Sequence, residues 1–225
     1  MIEICDINKK YKNKTVLKDV SLSAQEGKMI GILGVNGSGK STLLSILAGV
    51  LDADSGKMMY GDTDLLEKNN RKHRSSIVGY VPQANPLIEE LTAWDNLLLW
   101  CDRETVKREL SDGLLVMLGI DEFIKVPVFK MSGGMKKRLS IGCTVVNRPQ
   151  ILLLDEPCAS LDIVCKDSIY NYYDNYLAGG GTIFLATHEL EEIERCDKCY
   201  IINEGIVSEY NFDNDIHKLA GLLSR

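Results

Sequence analysis

Residues 34 to 42 read Gly-Val-Asn-Gly-Ser-Gly-Lys-Ser-Thr, and glycines spaced this way ahead of a lysine and a hydroxyl suit one task, the holding of a polyphosphate. Glycine lets the backbone wrap tightly and point its N–H groups at phosphate oxygens with no side chain intervening. Lys40 is placed to reach the β- and γ-phosphates, and the Ser41 hydroxyl to ligate Mg²⁺. Asn36, Gly37, Ser38, Gly39 and Thr42 supply the rest of the cradle. Downstream, "ILLLDEP" is an apolar run that delivers Asp155 and Glu156 at its end, where open α/β sheets bind ligands. Asp155 suits Mg²⁺ held through its water shell, and Glu156 could orient or deprotonate a water that attacks the γ-phosphate.

A second anion cradle lies at "KMSGGMKKRL", residues 130 to 139. Ser132 can cap a helix while the amides of Gly133 and Gly134 lie bare at its N-terminus. The cations that follow, Lys136, Lys137 and Arg138, are expected on a solvated face of that helix.

These groups need a scaffold, and the patterning describes one. "MIGILGV" reads as a buried strand before the first cradle, and "STLLSILAGVL" as a helix after it. "MIEICDIN" and "VLKDVSLSAQEG" read as two strands joined by a polar turn, with further strands at "GKMMYGD", "IVGYVPQ", "QILLLDEP" and "TIFLATH". From about residue 86 to 147 strand signals vanish, and "LTAWDNLLLWC" and "TVKRELSDGLLVMLGI" carry helical periodicity. A helix is expected at about 163 to 177. The chain is therefore expected to be a single α/β domain over 1–225. It has a doubly wound, mainly parallel phosphate-loop core, a small antiparallel N-terminal sheet and an inserted helical subdomain at about 86–147.

At 225 residues the chain can bury a substantial core, and a formal charge of -6 argues against a protein that coats nucleic acid. No apolar run approaches the roughly 18 to 20 residues that span a bilayer, and the first residues lack the apolar centre of a signal peptide. Seven cysteines in a chain of this size fit reduced thiols. Cys196-Asp-Lys-Cys199 has metal or redox spacing, yet it precedes the strand-like "YIINEGIVSEY" rather than opening a helix, so it is read as ordinary thiols. His73 and His217 have no supporting context.

With the two cradles and the Asp-Glu pair in this order, almost the whole chain resembles the nucleotide-binding subunit of an ABC transporter. "MSGGM" stands where that family has its signature, most often LSGGQ. "YVPQ" puts Gln83 at the glutamine loop, "ASLD" puts Asp162 after the acidic pair, and "LATH" puts His188 at the switch histidine. Tyr11, the first aromatic of the chain, sits where an aromatic stacks on adenine, with Val16 beside the nucleotide. The resemblance implies an ATPase using ATP and Mg²⁺, with Lys40, Gln83, Glu156 and His188 serving hydrolysis and Ser41, Gln83 and Asp155 around the metal. It implies a head-to-tail dimer, identical or mixed, in which Ser132, Gly133, Gly134 and Asp162 of one copy meet the ATP held by the other. It also implies a transmembrane permease on a separate chain, a peripheral place on the cytoplasmic face of the membrane, and no nucleic-acid partner.

Two departures matter. Met131 and Met135 replace the commonest leucine and glutamine, but the contacting backbone is unchanged; "EPCASLDIV" lacks the proline that often follows Leu-Asp. "SGGMKKRLSIG" and "LTAWDNL" are similar to segments frequent in drug- and polysaccharide-export ATPases. The 37 residues after His188 leave no room for the appended regulatory domain of many sugar importers. Export is therefore the expectation. The alternative is a soluble ABC ATPase of iron–sulfur assembly or of the ribosome, since the former shares an SGG-x-KKR-like signature.

Overall fold

A computed structural model of the chain describes residues 1–159, 161–213 and 215–223. Strands β1 (Ile2–Tyr11) and β2 (Lys14–Ala24) form a hairpin, and β3 (Met29–Leu33) leads into helix α1 (Lys40–Ala48). Next come β4 (Ser55–Tyr60), β5 (Thr63–Asp64), α2 (Arg71–Ile77) and β6 (Val78–Val81). Helices α3 (Ala93–Leu97), α4 (Arg103–Glu109), α5 (Leu114–Met117) and α6 (Gly133–Val145) fill the stretch before β7 (Ile151–Asp155). Then α7 (Ile163–Ala178), β8 (Thr182–Ala186), α8 (Leu190–Glu194), β9 (Lys198–Asn203), β10 (Ile206–Tyr210) and α9 (Ile216–Leu223) follow.

The strands make two sheets. One runs β2-β1-β4-β5 and is antiparallel throughout. The other runs β10-β9-β3-β8-β7-β6, parallel except for the edge strand β10. Every residue of β3, β7 and β8 is buried, which is the pattern of a parallel sheet covered on both faces. In β1, by contrast, Ile2 and Ile4 are buried while Glu3 and Cys5 are not fully so, the alternation of a sheet with one solvated face. Register places Asp155 opposite Ala186, so the ends of β7 and β8 open at one edge.

Two expectations about local structure are corrected. "YIINEGIVSEY" is a hairpin rather than one strand, because Glu204 and Gly205 both take left-handed backbone (φ 48° and 78°) in a two-residue turn. "TVKRELSDGLLVMLGI" is two short helices rather than one continuous pattern. The buried Glu109 carboxylate accepts the Leu114 amide at 3.2 Å, which fixes a break at Gly113 that apolar periodicity does not register. The Glu204–Gly205 turn also ties the two sheets together, with Lys18 N donating to Gly205 O at 2.8 Å.

Apolar packing follows this layout. One cluster gathers Leu152, Leu154, Ile183 and Leu185 with the helical stretch, through Leu97, Leu115, Phe123 and Leu139. A second lies on the opposite face, between Leu43, Leu44 and Leu47 of α1 and Ile2, Ile4 and Leu22 of the antiparallel sheet. Burying side chains of this size contributes roughly 1.5–3 kcal/mol each before entropy is counted. No helix among the described residues is long and apolar enough to cross a membrane.

Candidate functional site

The first cradle is a loop between a fully buried strand and a helix that starts at Lys40. Gly39 occupies the helix N-cap with φ 116°, and a Cβ there would sit 2.9 Å from Leu17 Cδ2 and 3.0 Å from Val16 O. Only glycine admits both that backbone and that approach. Lys40 is 5 % exposed, and its ammonium donates to Gly34 O at 2.8 Å and Val35 O at 3.3 Å. Burial pushes its pKa down, opposed by the carboxylates of Glu156 and Asp155. A cavity of about 300 Å³ opens here, lined by Val16, Asn36, Gly37, Gly39, Lys40, Ser41, Thr42, Gln83 and Glu156. A neighbouring one of about 510 Å³ shares Val16, Asn36 and Gly37 and adds Ser38.

The acidic pair divides its duties by exposure. Asp155, 2 % exposed, ends β7; burial raises its pKa against the pull of the Ser41 hydroxyl, and its Oδ1 has no hydrogen-bond partner among the described residues. An orphaned carboxylate oxygen beside Ser41, with Lys40 and Lys137 pulling on it, fits a hard divalent cation that takes oxygen ligands. Glu156 follows in left-handed backbone (φ 48°), locked by Glu156 N donating to Ala186 O at 2.8 Å. Such a conformation costs on the order of 1 kcal/mol or more for a non-glycine residue and turns the side chain out of the strand. Its carboxylate accepts from Gln83 Nε2 at 2.8 Å and lies 3.5 Å from His188 Nδ1. Gln83, Glu156 and His188, read from three separate motifs, therefore meet.

His188 is held by the strand end behind it. Thr187 donates from Oγ1 to the carboxylate of Glu192, which is 1 % exposed, and Glu189 N donates back to Thr187 Oγ1 at 3.0 Å. Sequence reasoning missed both Thr187 and Glu192; a carboxylate four residues after a histidine at the start of a helix was the available signal.

The second cradle is built differently. Ser132 caps α6, its Oγ accepting from Met135 N at 3.2 Å, and a Cβ on Gly133 would meet nothing within 4 Å. Asp162 caps α7 by accepting from Cys165 N at 2.9 Å, and the Cys165 thiol donates to Gly134 O at 3.6 Å, so Asp162 and the Ser-Gly-Gly segment share one surface. Ser160 of the "ASLD" segment lies outside the described residues. None of Ser132, Gly133, Gly134 or Asp162 lines the phosphate-loop cavities, and neither does Tyr11, which is 46 % exposed at the end of β1.

The three cations after the signature do not share a solvated face. Successive helical residues turn by about 100°, so a run of three must point in different directions. Lys136 pairs with Glu89 at 2.8 Å and Arg138 lies over the Phe123 ring. Lys137 is 5 % exposed and donates to Pro82 O at 3.2 Å and Gln83 O at 3.0 Å, with its pKa lowered by burial. A buried ammonium thus joins the signature helix to the segment carrying Gln83, a link that the sequence reading missed.

Comparison with known proteins follows the same lines. The ABC transporter family profile matches residues 17–159. The Nod factor export ATP-binding protein I of Sinorhizobium fredii (strain NBRC 101917 / NGR234) is 36 % identical over 210 residues, covering 91 % of this chain and 60 % of that protein. The lantibiotic transport ATP-binding protein of Streptococcus pyogenes is 31 % identical over 215 residues, covering 95 % and 92 %. A dimeric ATP-binding cassette in a post-hydrolysis state with ADP and phosphate superimposes with a TM-score of 0.83 at 25 % identity, covering 94 % of this chain and 98 % of that one.

Proposed function

The chain belongs to the ABC transporter family, and on that premise we propose that it is the ATP-hydrolysing subunit that powers export through a permease carried on a separate chain. The observation that carries the reading is the meeting of Gln83 and His188 on Glu156 at the mouth of the phosphate-loop cavity. The export assignment is supported by relatives named for Nod factor export and lantibiotic transport. Because the chain spans 60 % of the first of these, its cargo and partners belong to this proposal.

In this reading the loop amides and the start of α1 bind the β- and γ-phosphates of ATP, and Lys40 exchanges its contacts with Gly34 O and Val35 O for phosphate oxygens. Val16 and Tyr11 flank the adenosine. Ser41, Asp155 and Gln83 would hold Mg²⁺, which would supply neutralisation of the phosphate charge. Glu156 orients the attacking water and takes its proton as the bond between the γ-phosphorus and the bridging oxygen breaks. His188 donates to a γ-phosphate oxygen and steadies the developing charge. Ser132, Gly133, Gly134 and Asp162 serve the ATP of a second cassette, identical or related, and closure of that dimer drives the attached membrane helices. The chain would then sit peripherally at the cytoplasmic face of the membrane.

Glu156→Gln keeps the shape of the site and removes the base. We expect turnover to fall by about a thousandfold and the variant to dimerise in ATP but not in ADP, read by sedimentation. Capture of tagged Glu156→Gln with ATP and Mg²⁺ from detergent-solubilised native cells should bring down a polytopic membrane protein. Recovery of ribosomes or soluble assembly proteins, with no membrane partner, sinks the transport reading and leaves the ATPase standing.

A further inference from the structure

Cys196 and Cys199, three apart at the junction of α8 and β9, converge on one point of the central sheet. Gly31 of β3 is the register partner of Cys199, and a Cβ placed on Gly31 would lie 2.9 Å from Cys199 Sγ and 3.0 Å from Cys196 Sγ. The missing side chain at Gly31 is the space in which both sulfurs sit. Between them Asp197 is clamped to the start of β3, accepting from Met29 N at 2.8 Å and Lys28 Nζ at 2.7 Å and donating its own amide to Met29 O at 2.9 Å. The pair is held on the strand that runs into the phosphate loop.

A cavity of about 180 Å³ is lined by both cysteines and by Ile193, Tyr210 and Phe212. The Tyr210 hydroxyl is buried and has no hydrogen-bond partner among the described residues. No third His, Cys, Asp or Glu joins the thiols in a metal-ligating group among the described residues.

We propose that Cys196 and Cys199 are a dithiol site that reacts with hydrogen peroxide, closing to a disulfide that slows ATP hydrolysis. The two sulfurs divide the roles. The Cys196 thiol, directed at Cys199, and the Gly31 amide hold the Cys199 pKa below the ordinary thiol value against its burial. Hydrogen bonding to Cys199 and burial push Cys196 up, as burial does Cys158 and, to about 12, Cys143. The thiolate is the nucleophile, so Cys199 attacks one peroxide oxygen and the O–O bond breaks. The departing hydroxide takes a proton and leaves as water, and Cys199 carries the sulfenic hydroxyl. Cys196 sulfur then attacks Cys199 sulfur, the S–O bond breaks, and the oxygen leaves with the Cys196 proton as a second water. Two thiols lose two electrons and both peroxide oxygens end as water.

The link to hydrolysis is the Cys196 thiol itself. Its one proton has a second acceptor besides Cys199, Glu192 O at 3.2 Å, and Glu192 is the buried carboxylate that accepts from Thr187, the residue before His188. Closing the disulfide removes that donor and draws the end of α8 toward β9. His188 sits on Glu156 through a 3.5 Å contact, so the shift falls on the hydrolytic group. This second half of the inference rests on the ATPase reading; the dithiol itself does not.

Treatment of the full chain with hydrogen peroxide, followed by peptide mapping and ATPase assay, tests both halves. The expected result is a Cys196–Cys199 peptide lighter by two hydrogens, with turnover down roughly tenfold and both changes reversed by dithiothreitol. Cys199→Ser and Cys196→Ser should each retain turnover in peroxide. Peroxide that modifies other cysteines while this pair stays reduced overturns the site, whatever the chain's activity. A closed bridge with unchanged turnover overturns the coupling. Absent turnover in the reduced chain counts against the ATPase reading and, with it, the coupling, while the peptide map still decides the dithiol.

Discussion

The two cradles, at residues 34–42 and 132–134, use the same device and are finished to different degrees. At the first, side chains from β7, the segment after β6 and the end of β8 converge, so that Lys40, Gln83, Asp155, Glu156 and His188 belong to one neighbourhood. At the second, glycine amides stand at the start of α6 with open space beside Gly133, and the chain sends no catalytic side chain to them. A helix start with bare amides attracts anions in both cases. The difference supports the proposal that the first cradle is a complete site and the second is half of one, completed across a dimer.

The sharpest way to break this comparison is to put a charge where the second cradle is open. Gly133→Asp meets no steric obstacle and repels a phosphate, so ATP-stimulated dimerisation and turnover should fall by about a hundredfold while the isolated chain binds ATP normally. Loss of monomer binding would mean that the second cradle serves its own chain's nucleotide. Next in size, Lys137→Met removes the link between α6 and the Gln83 segment at nearly constant volume. Turnover should drop roughly tenfold with little change in ATP affinity, since only the placement of Gln83 is disturbed. An unchanged rate would show that the two cradles are not coupled through this ammonium.

The smallest effect is on stability. Burial raises the Asp155 pKa above its unfolded value, so this group favours folding at low pH and loses that contribution as pH rises through the raised value. Asp155→Asn should therefore stabilise the chain without nucleotide or Mg²⁺ by about 1 kcal/mol near neutral pH, a gain that shrinks toward acid. Thermal melts across pH check it. Hydrolysis should be lost in the same variant if Asp155 serves the metal as proposed.

What was legible in the sequence follows from locality. The phosphate loop, the acidic pair and the strand before His188 are each encoded within about ten residues, and the structure has them as the spacing predicts. Lys137 was not legible because its partners, Pro82 O and Gln83 O, are backbone atoms more than fifty residues away, and a three-cation run looks solvated until helical rotation is applied. The break at Gly113 depends on one carboxylate folding back on an amide. The convergence of Cys196 and Cys199 required knowing that β9 pairs with β3 and that Gly31 leaves room; neither fact is written near the cysteines.

The position of β3 has a consequence for synthesis. It emerges early, at residues 29–33, yet its neighbours in the sheet are β8 and β9, the first of which begins at residue 182. A growing chain therefore carries "MIGIL", an apolar strand with both edges unpaired, until most of the protein has been translated. Such a segment is prone to intermolecular pairing. Its best early cover is the apolar face of α1, which follows it by seven residues and is complete long before the sheet is. The glycine-rich turn that later grips phosphate would thus serve first as the hinge that folds α1 back over its own strand.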